Sequence, residues 1–152
     1  MPITYRNPVQ SLITGQAVPG NAGVAIMARI RAASGALLTQ ASVSSITYSV
    51  YNIQAEKDGS GNPTQMLGST SQTVTAVVFD SLQQDGNLWT KDSAANPGPD
   101  GASGWNYRFV VPAAYFTVAN SGDWHRVNVV ITPASGQLFR LIFEFPTLTI
   151  DL

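Results

Sequence analysis

The sequence has 152 residues and a mass of 16.1 kDa, which is the size of one domain. Only 11% of the residues are charged, and eight Lys and Arg against nine Asp and Glu give a net charge of −1. The polar surface is supplied instead by 45 Ser, Thr, Asn and Gln residues. Because the chain has no excess of positive charge, we expect neither nucleic acid nor an anionic membrane among its partners.

Cysteine is absent and histidine occurs once, as His125. The chain therefore has no disulfides or thiolate zinc ligands, and one imidazole does not make a histidine metal site. Its first residues have neither the basic cluster nor the apolar stretch of a secretory signal, and no segment approaches about 20 consecutive apolar residues. We expect synthesis in the cytosol, no membrane span and no cofactor.

The first 21 residues contain Pro2, Pro8 and Pro19 and end in a Gly20-Asn21 turn signal. They have too few periodic apolar residues for a core element, which predicts an extended N-terminal arm over residues 1–21. Simple terminal fraying is the alternative. A solvated tail would not need the apolar side chains of this segment, however. The arm residues predicted to contact other proteins are Ile3, Tyr5, Val9, Leu12 and Ile13.

From residue 22 onward, apolar residues recur mostly with a period of two, which indicates strands rather than helices. The strand predicted over 24–31 has Arg29 and Arg31 on its solvent side, and it should pair with or face the strand predicted over 45–53. A hairpin loop is predicted at 133–136, and a short helical turn after Pro112. The other predicted strands are 65–70, 72–79, 106–111, 124–132 and 138–145.

Short strands separated by Gly, Pro, Asn and Asp, without helices to cover a parallel sheet, predict an all-β fold. The expected architecture is an antiparallel two-sheet β-sandwich, and immunoglobulin-like and jelly-roll topologies fit it equally well. The sandwich domain is expected over residues 22–152. It includes a long loop at about 80–105, which either carries function or hides a short strand.

Three arginines occupy outward positions of the last three predicted strands. If these strands are neighbours, the arginines share one face, which is either solvated surface or a contact with another protein. These residues are Arg108, Arg126 and Arg140.

Aromatic residues offer a second candidate site, a flat platform on which a sugar could stack, formed by Trp89, Trp105 and Trp124 with Tyr107 and Tyr115. Aromatic side chains in a small sandwich more often belong to the core. No acid–base pair, nucleophile elbow or metal cluster can be assembled from the sequence, so we expect no catalytic activity. The candidates for glycan stacking are Trp89, Trp105 and Tyr115.

Several segments together resemble small virion structural proteins of tailed bacteriophages. They are 46–51, 78–83, 89–92, 105–112 and 132–139, within a resemblance that covers about residues 45–150. The resemblance is one of pattern, and it transfers no individual functional residue. The low charge also suits a protein that lives in an assembly, because near-neutral surfaces repel each other little.

The resemblance implies a non-enzymatic virion protein, first of all a capsid cement or decoration protein that stabilises the head lattice. A neck, tail or baseplate component and a carbohydrate-binding, receptor-binding module are the alternatives. The implied partners are the major capsid protein or other virion proteins, with a homo-oligomer expected and a trimer favoured. The implied location is the virion.

Overall fold

The computed structural model describes residues 9–13, 23–57, 63–83, 104–116 and 122–147. These residues form two antiparallel sheets packed face to face, which confirms the predicted all-β two-sheet sandwich. A single helical turn, α1 (Val74–Val77), joins the two sheets. The strands are β1 (Val9–Ile13), β2 (Val24–Ile30), β3 (Val43–Lys57), β4 (Pro63–Gln72), β5 (Val78–Gln83), β6 (Trp105–Val111), β7 (Trp124–Pro133) and β8 (Phe139–Pro146).

The order of the strands is that of an immunoglobulin-like sandwich. One sheet has the order β1-β2-β6-β5, and the other has the order β4-β3-β7-β8. The first corresponds to immunoglobulin strands A, B, E and D, and β3, β7 and β8 correspond to C, F and G, with β4 added beside β3 as C′. A jelly roll would place the first two strands in different sheets, whereas β1 and β2 are paired in one.

The first strand lies inside the segment that the sequence predicts to be an arm. β1 pairs antiparallel with β2, from Val9 opposite Ile30 to Ile13 opposite Ile26. The sheet therefore begins well before the predicted domain boundary at residue 22. A five-residue edge strand is held mainly by the ladder to its neighbour, so it does not need the longer alternation on which the prediction relied. The rest of the predicted arm, including Ile3 and Tyr5, lies outside the described residues.

The main core lies between the sheets, where β2 and β3 face each other as the sequence predicts. Alternate residues of the strands are buried there, and the ring centroids of Tyr48 on β3 and Phe109 on β6 are 4.7 Å apart across the gap. The buried residues of this core include Val24, Ile26, Ile30, Ile46, Val50, Tyr107, Val111, Phe116, Val127, Val129, Ile131, Leu141 and Phe143.

Strand β2 is buried on both sides, which the sequence does not predict. Met27 is fully buried and packs with Trp105 and Phe79 in a second, smaller apolar cluster. Met27 alternates with Ile26, so this cluster lies on the side of β2 opposite the main core. Arg29 is also buried, and its Nε donates a hydrogen bond to the Gly104 carbonyl oxygen at 2.9 Å. The prediction that Arg29 faces solvent is wrong, because this side of the sheet is covered as well.

The β-branched run that predicts a strand over 72–79 instead contains a break. Gln72 ends β4, α1 makes one turn, and β5 begins at Val78. The turn carries the chain from one sheet to the other and allows Val77 and Val78 both to enter the core. Consecutive residues of a strand point to opposite faces, so a continuous strand could not place both in the core between the sheets.

The predicted short connections are confirmed. A 3₁₀ turn over Ala113–Tyr115 follows Pro112 and carries the chain from β6 across to β7. The loop between β7 and β8 contains Gly136 at φ +97°, a conformation that favours glycine. Within the described ranges no helix is long and apolar enough to cross a membrane. Most of the predicted 80–105 loop lies outside the described residues, and β5 occupies its first positions.

Candidate interaction surface

The strongest candidate for a functional surface is the solvent side of the β7–β8 hairpin. Along β8, residues alternate strictly between the core and the exterior. Leu141, Phe143 and Phe145 are buried, so the residues between them must face outward. We call the resulting surface the β7–β8 outer face and define it by Trp124, Arg126, Leu138, Arg140, Ile142 and Glu144.

This surface leaves large apolar side chains in contact with solvent. Trp124 is 44% exposed, Leu138 is 55% exposed and Ile142 is 57% exposed. In the described part of the chain, the one other large apolar residue with comparable exposure is Val110, on the opposite sheet. Scattered exposed apolar residues are ordinary on protein surfaces, but several on two neighbouring strands are typical of a binding surface.

An ion pair lies between these apolar side chains. Arg126 on β7 and Glu144 on β8 are directly opposite each other, and the Arg126 Nε lies 2.6 Å from the Glu144 Oε1. Both side chains remain more than one third exposed, so the pair contributes at most about 1 kcal/mol to stability. Its larger effect is to fix the position of two opposite charges on the outer face.

The structure separates the three arginines that the sequence predicts on one face. Arg126 and Arg140 lie on the outer face of neighbouring strands. Arg108 lies on β6, opposite Met27 of β2, and therefore belongs to the other sheet. The prediction of a shared face is wrong for Arg108, because β6 and β7 follow each other in sequence while the chain crosses between the sheets.

The structure does not form the predicted aromatic platform from the residues that it describes. Trp105 is buried, and its ring meets Phe79 edge-on with centroids 5.1 Å apart. Tyr115 is half-buried and packs against the core. The glycan-stacking prediction is therefore wrong for Trp105, whose ring is buried, and stays a prediction for Tyr115. Trp89 lies outside the described residues.

Trp124, which is exposed, belongs to the predicted aromatic platform but is missing from the predicted protein-interface residues. Its backbone N–H donates to the Gln54 Oε1 at 3.2 Å, and it lies opposite Pro146 on β8. The sequence does contain a signal for its position, because Trp124 has the same strand parity as Arg126. A residue that shares the parity of an outward arginine also points outward.

His125 is buried at the same end of the sandwich and has an aromatic environment. Its ring centroid lies 5.2 Å from that of Phe116 and 6.5 Å from that of Phe145. Its Nδ1 lies 3.2 Å from the Asp123 carbonyl oxygen. Burial lowers the pKa of His125, although the Asp123 carbonyl and carboxylate act in the opposite direction. His125 is thus part of the packed interior.

Comparisons of the chain with protein-family models, curated proteins and solved structures gave no match. Among the described residues, no group of three or more His, Cys, Asp and Glu side chains is placed to hold a metal ion. The β7–β8 outer face combines exposed Trp and Arg with apolar side chains, a composition enriched at protein interfaces. This arrangement can bind another protein surface by burying apolar area around a fixed pair of charges.

Proposed function

We propose that this chain is a non-enzymatic structural protein of a bacteriophage virion, namely a capsid cement or decoration protein. It stabilises the head lattice through contacts with the major capsid protein or other virion proteins. The observation that carries the proposal is the β7–β8 outer face, where Trp124 and Ile142 flank the Arg126–Glu144 pair in solvent. Burying Trp124 and Ile142 against a protein gains apolar contact, and the Arg126–Glu144 charges enter the interface already paired. Arg140 on the same face requires an acidic group on the partner.

The composition of the whole surface supports a role in an assembly. Charged residues are 11% of the chain, and lysine and glutamate are generally depleted at interface cores. A polar but weakly charged surface loses less hydration free energy when it is covered than a strongly charged surface does. A small domain with such a weakly charged surface is suited to lie between larger subunits of a shell.

Location within the virion is tested by electron microscopy of virions from the source of the sequence, labelled with an antibody against the purified chain. We expect label distributed over the head. Label confined to the neck, tail or baseplate would show that the chain is a component of that structure and not a capsid cement protein. Virions without label at any position would contradict a virion role.

The role of the outer face is tested by sedimentation of the purified chain with capsids. We expect Trp124→Asp to weaken capsid binding by about tenfold or more, because a tryptophan that becomes buried in an interface is often a hot spot. Val110→Asp is the matched control, since Val110 is 43% exposed and Trp124 is 44% exposed, on opposite sheets. Equal binding by both variants would contradict the assignment of this face.

Carbohydrate binding remains the second candidate function, because Trp124 presents an exposed aromatic ring. A glycan that stacks on this ring would change the tryptophan fluorescence, and Trp124→Asp would abolish that change. A fluorescence change lost in Trp124→Asp but not in Val110→Asp would favour a receptor-binding module over a cement protein. Unchanged fluorescence across bacterial cell-wall glycans would count against it.

A further inference from the structure

Strand β8 is a long and regular sheet edge. It pairs with β7 in unbroken register, from Trp124 opposite Pro146 to Ile131 opposite Phe139, and no described residue pairs with its other side. β1 lies near β8 but is paired with β2 in the other sheet. Proteins usually protect such edges with bulges or very short strands. The other edge strands follow that rule, since β4 and β5 have register shifts and β1 has five residues.

On the side away from β7, the backbone groups of the even-numbered residues of β8 have no partner strand among the described residues. The Thr147 N–H donates to the Asp123 carbonyl oxygen at 2.9 Å, so these two residues form a hydrogen-bonded pair across the hairpin. Hydrogen-bonded pairs alternate along an antiparallel ladder, which directs the N–H and C=O groups of Arg140, Ile142 and Glu144 away from β7. The Trp124 N–H, which points toward Gln54 on β3, agrees with this alternation.

The side chains on the outer side of β8 form a self-complementary series. Read in either direction from Ile142, the series meets a charged residue and then an apolar one: Leu138, Arg140, Ile142, Glu144 and Pro146. A two-fold axis through Ile142 places Arg140 opposite Glu144 of the partner subunit, and Leu138 opposite Pro146 of the partner subunit. Each exposed charge therefore meets its opposite, and each exposed apolar side chain meets another.

We propose that the chain forms a two-fold dimer by antiparallel pairing of β8 with β8 of a second copy, centred on Ile142. The two four-stranded sheets that contain β8 then continue into one sheet. Arg140, Ile142 and Glu144 supply about six backbone hydrogen bonds across the axis, since each hydrogen-bonded pair exchanges two. Pro146 has no N–H and ends the ladder at each side.

The charges select this register over its neighbours. In the dimer, Glu144 lies between Arg126 of its own chain and Arg140 of the partner subunit, so that opposite charges alternate across three strands. A slip by two residues would place Arg140 opposite Ile142 of the partner subunit and leave both cross-axis charge pairs unmade. A slip by one would turn the buried side of one strand toward the exposed side of the other.

The dimer is independent of the virion role, since it requires only the edge and the side chains of β8. It also differs from the trimer that the phage resemblance favours, because pairing about a two-fold axis closes with two copies. The mass of the purified chain in solution therefore separates the two oligomers.

The dimer is tested by light scattering after size exclusion. We expect about twice the 16.1 kDa mass for the wild-type chain, and the monomer mass for Arg140→Glu and for Glu144→Arg, in which like charges meet across the axis. An equimolar mixture of these two variants should recover the doubled mass. In the mixed dimer, the new Glu of one chain lies opposite the new Arg of the other, so opposite charges meet again across the axis. Arg108→Glu, on the opposite sheet, is the matched control and should stay dimeric.

A backbone variant tests the ladder separately from the charges. Ile142→Pro removes an N–H that points away from β7, so the monomer keeps its β7–β8 hydrogen bonds while the centre of the dimer loses its own. We expect Ile142→Pro to be a folded monomer by circular dichroism, and Ile142→Val to remain a dimer. A monomeric or trimeric wild type, a dimeric Arg140→Glu variant, or a charge-variant mixture that stays monomeric would overturn the proposal.

Discussion

The side-chain amide of Asn106 forms two hydrogen bonds with the backbone of Ile30. Its Oδ1 accepts from the Ile30 N–H at 2.7 Å, and its Nδ2 donates to the Ile30 carbonyl oxygen at 3.0 Å. The same Nδ2 donates to the Leu38 carbonyl oxygen at 2.8 Å. Asn106 thereby extends the β2–β6 ladder beyond the Ala28–Tyr107 pair and attaches the β2–β3 connection to it. Because Asn106 is fully buried, water cannot replace these bonds.

We predict that Asn106→Leu lowers the free energy of unfolding by about 2 kcal/mol or more, because it removes the amide partner of the Ile30 N–H and of the Leu38 carbonyl oxygen. The Ile30 carbonyl oxygen still accepts a hydrogen bond from the Leu38 N–H at 3.1 Å. Urea unfolding followed by circular dichroism measures the loss. Asn128→Leu is the control, since Asn128 lies half-buried on the outer side of β7 and should change stability by less than about 1 kcal/mol. Equal stability of the two variants would show that the Asn106 amide is dispensable.

Gly23 should not tolerate a side chain. A Cβ atom at this position would lie 2.3 Å from the Val111 carbonyl oxygen, and that backbone atom is held in the β2–β6 ladder. We predict that Gly23→Ala costs about 2 kcal/mol or more of unfolding free energy. Gly68→Ala is the matched control, because its Cβ would meet only the movable Gln65 side-chain amide. Thermal unfolding of both variants makes the comparison, and a smaller loss for Gly23→Ala would contradict it.

His125 should make the stability depend on pH in the acid range. Burial lowers its pKa in the folded chain, so the unfolded chain binds the proton more readily. The free energy of unfolding is therefore constant above the unfolded pKa of about 6.5 and falls as the pH drops from there through the folded value. No other histidine titrates in this window, since the chain has only one.

The measurement is urea unfolding at about pH 7.5, 6.5 and 5.5, a range that spans the ordinary histidine pKa. His125→Phe should remain folded, because its neighbours Phe116 and Phe145 are aromatic. It should also remove the loss of stability between about pH 6.5 and 5.5. A loss of the same size in His125→Phe would assign the effect to other groups.

The stability that Tyr107 contributes should be lost only when the pH becomes alkaline. Its hydroxyl donates to the Gln72 Oε1 at 3.0 Å and so connects β6 to β4 across the sandwich, while burial raises the pKa of Tyr107 well above its usual range. Stability is then fully present below the unfolded pKa of about 10 and falls as the pH rises above it. Removing the hydroxyl should cost about 1 kcal/mol near neutral pH.

Tyr107→Phe tests both the hydrogen bond near neutral pH and the alkaline loss of stability. The measurement is unfolding at about pH 8 and about pH 11, on either side of the ordinary tyrosine pKa. We expect a smaller alkaline loss in the variant than in the wild type. Burial also raises the pKa of Tyr48, so the loss should not disappear. Tyr51→Phe, on the outer side of β3, is the control for removal of a hydroxyl near neutral pH. Identical alkaline profiles for wild type and Tyr107→Phe would contradict the prediction.

The sequence alone was sufficient to predict which side of β3, β7 and β8 faces the core. In β8 the alternation of apolar and polar residues assigns Leu141 and Phe143 to the core and Arg140 to solvent, as the structure has them. Such a pattern is readable because one face of these strands is buried and the other is not. The turns were readable for a related local reason, since Pro112 and Gly136 constrain their own backbone.

The tertiary structure alone decided which strands are neighbours and which surfaces are covered. It placed Arg108 on a different sheet from Arg126, buried Arg29, and turned the β-branched run before Val78 into a helical turn. Alternation reports which side of a strand a residue occupies, but it contains no information on what lies against that side. The Asn106–Ile30 bonds join residues 76 positions apart, and contacts at that separation form only when the whole sandwich closes.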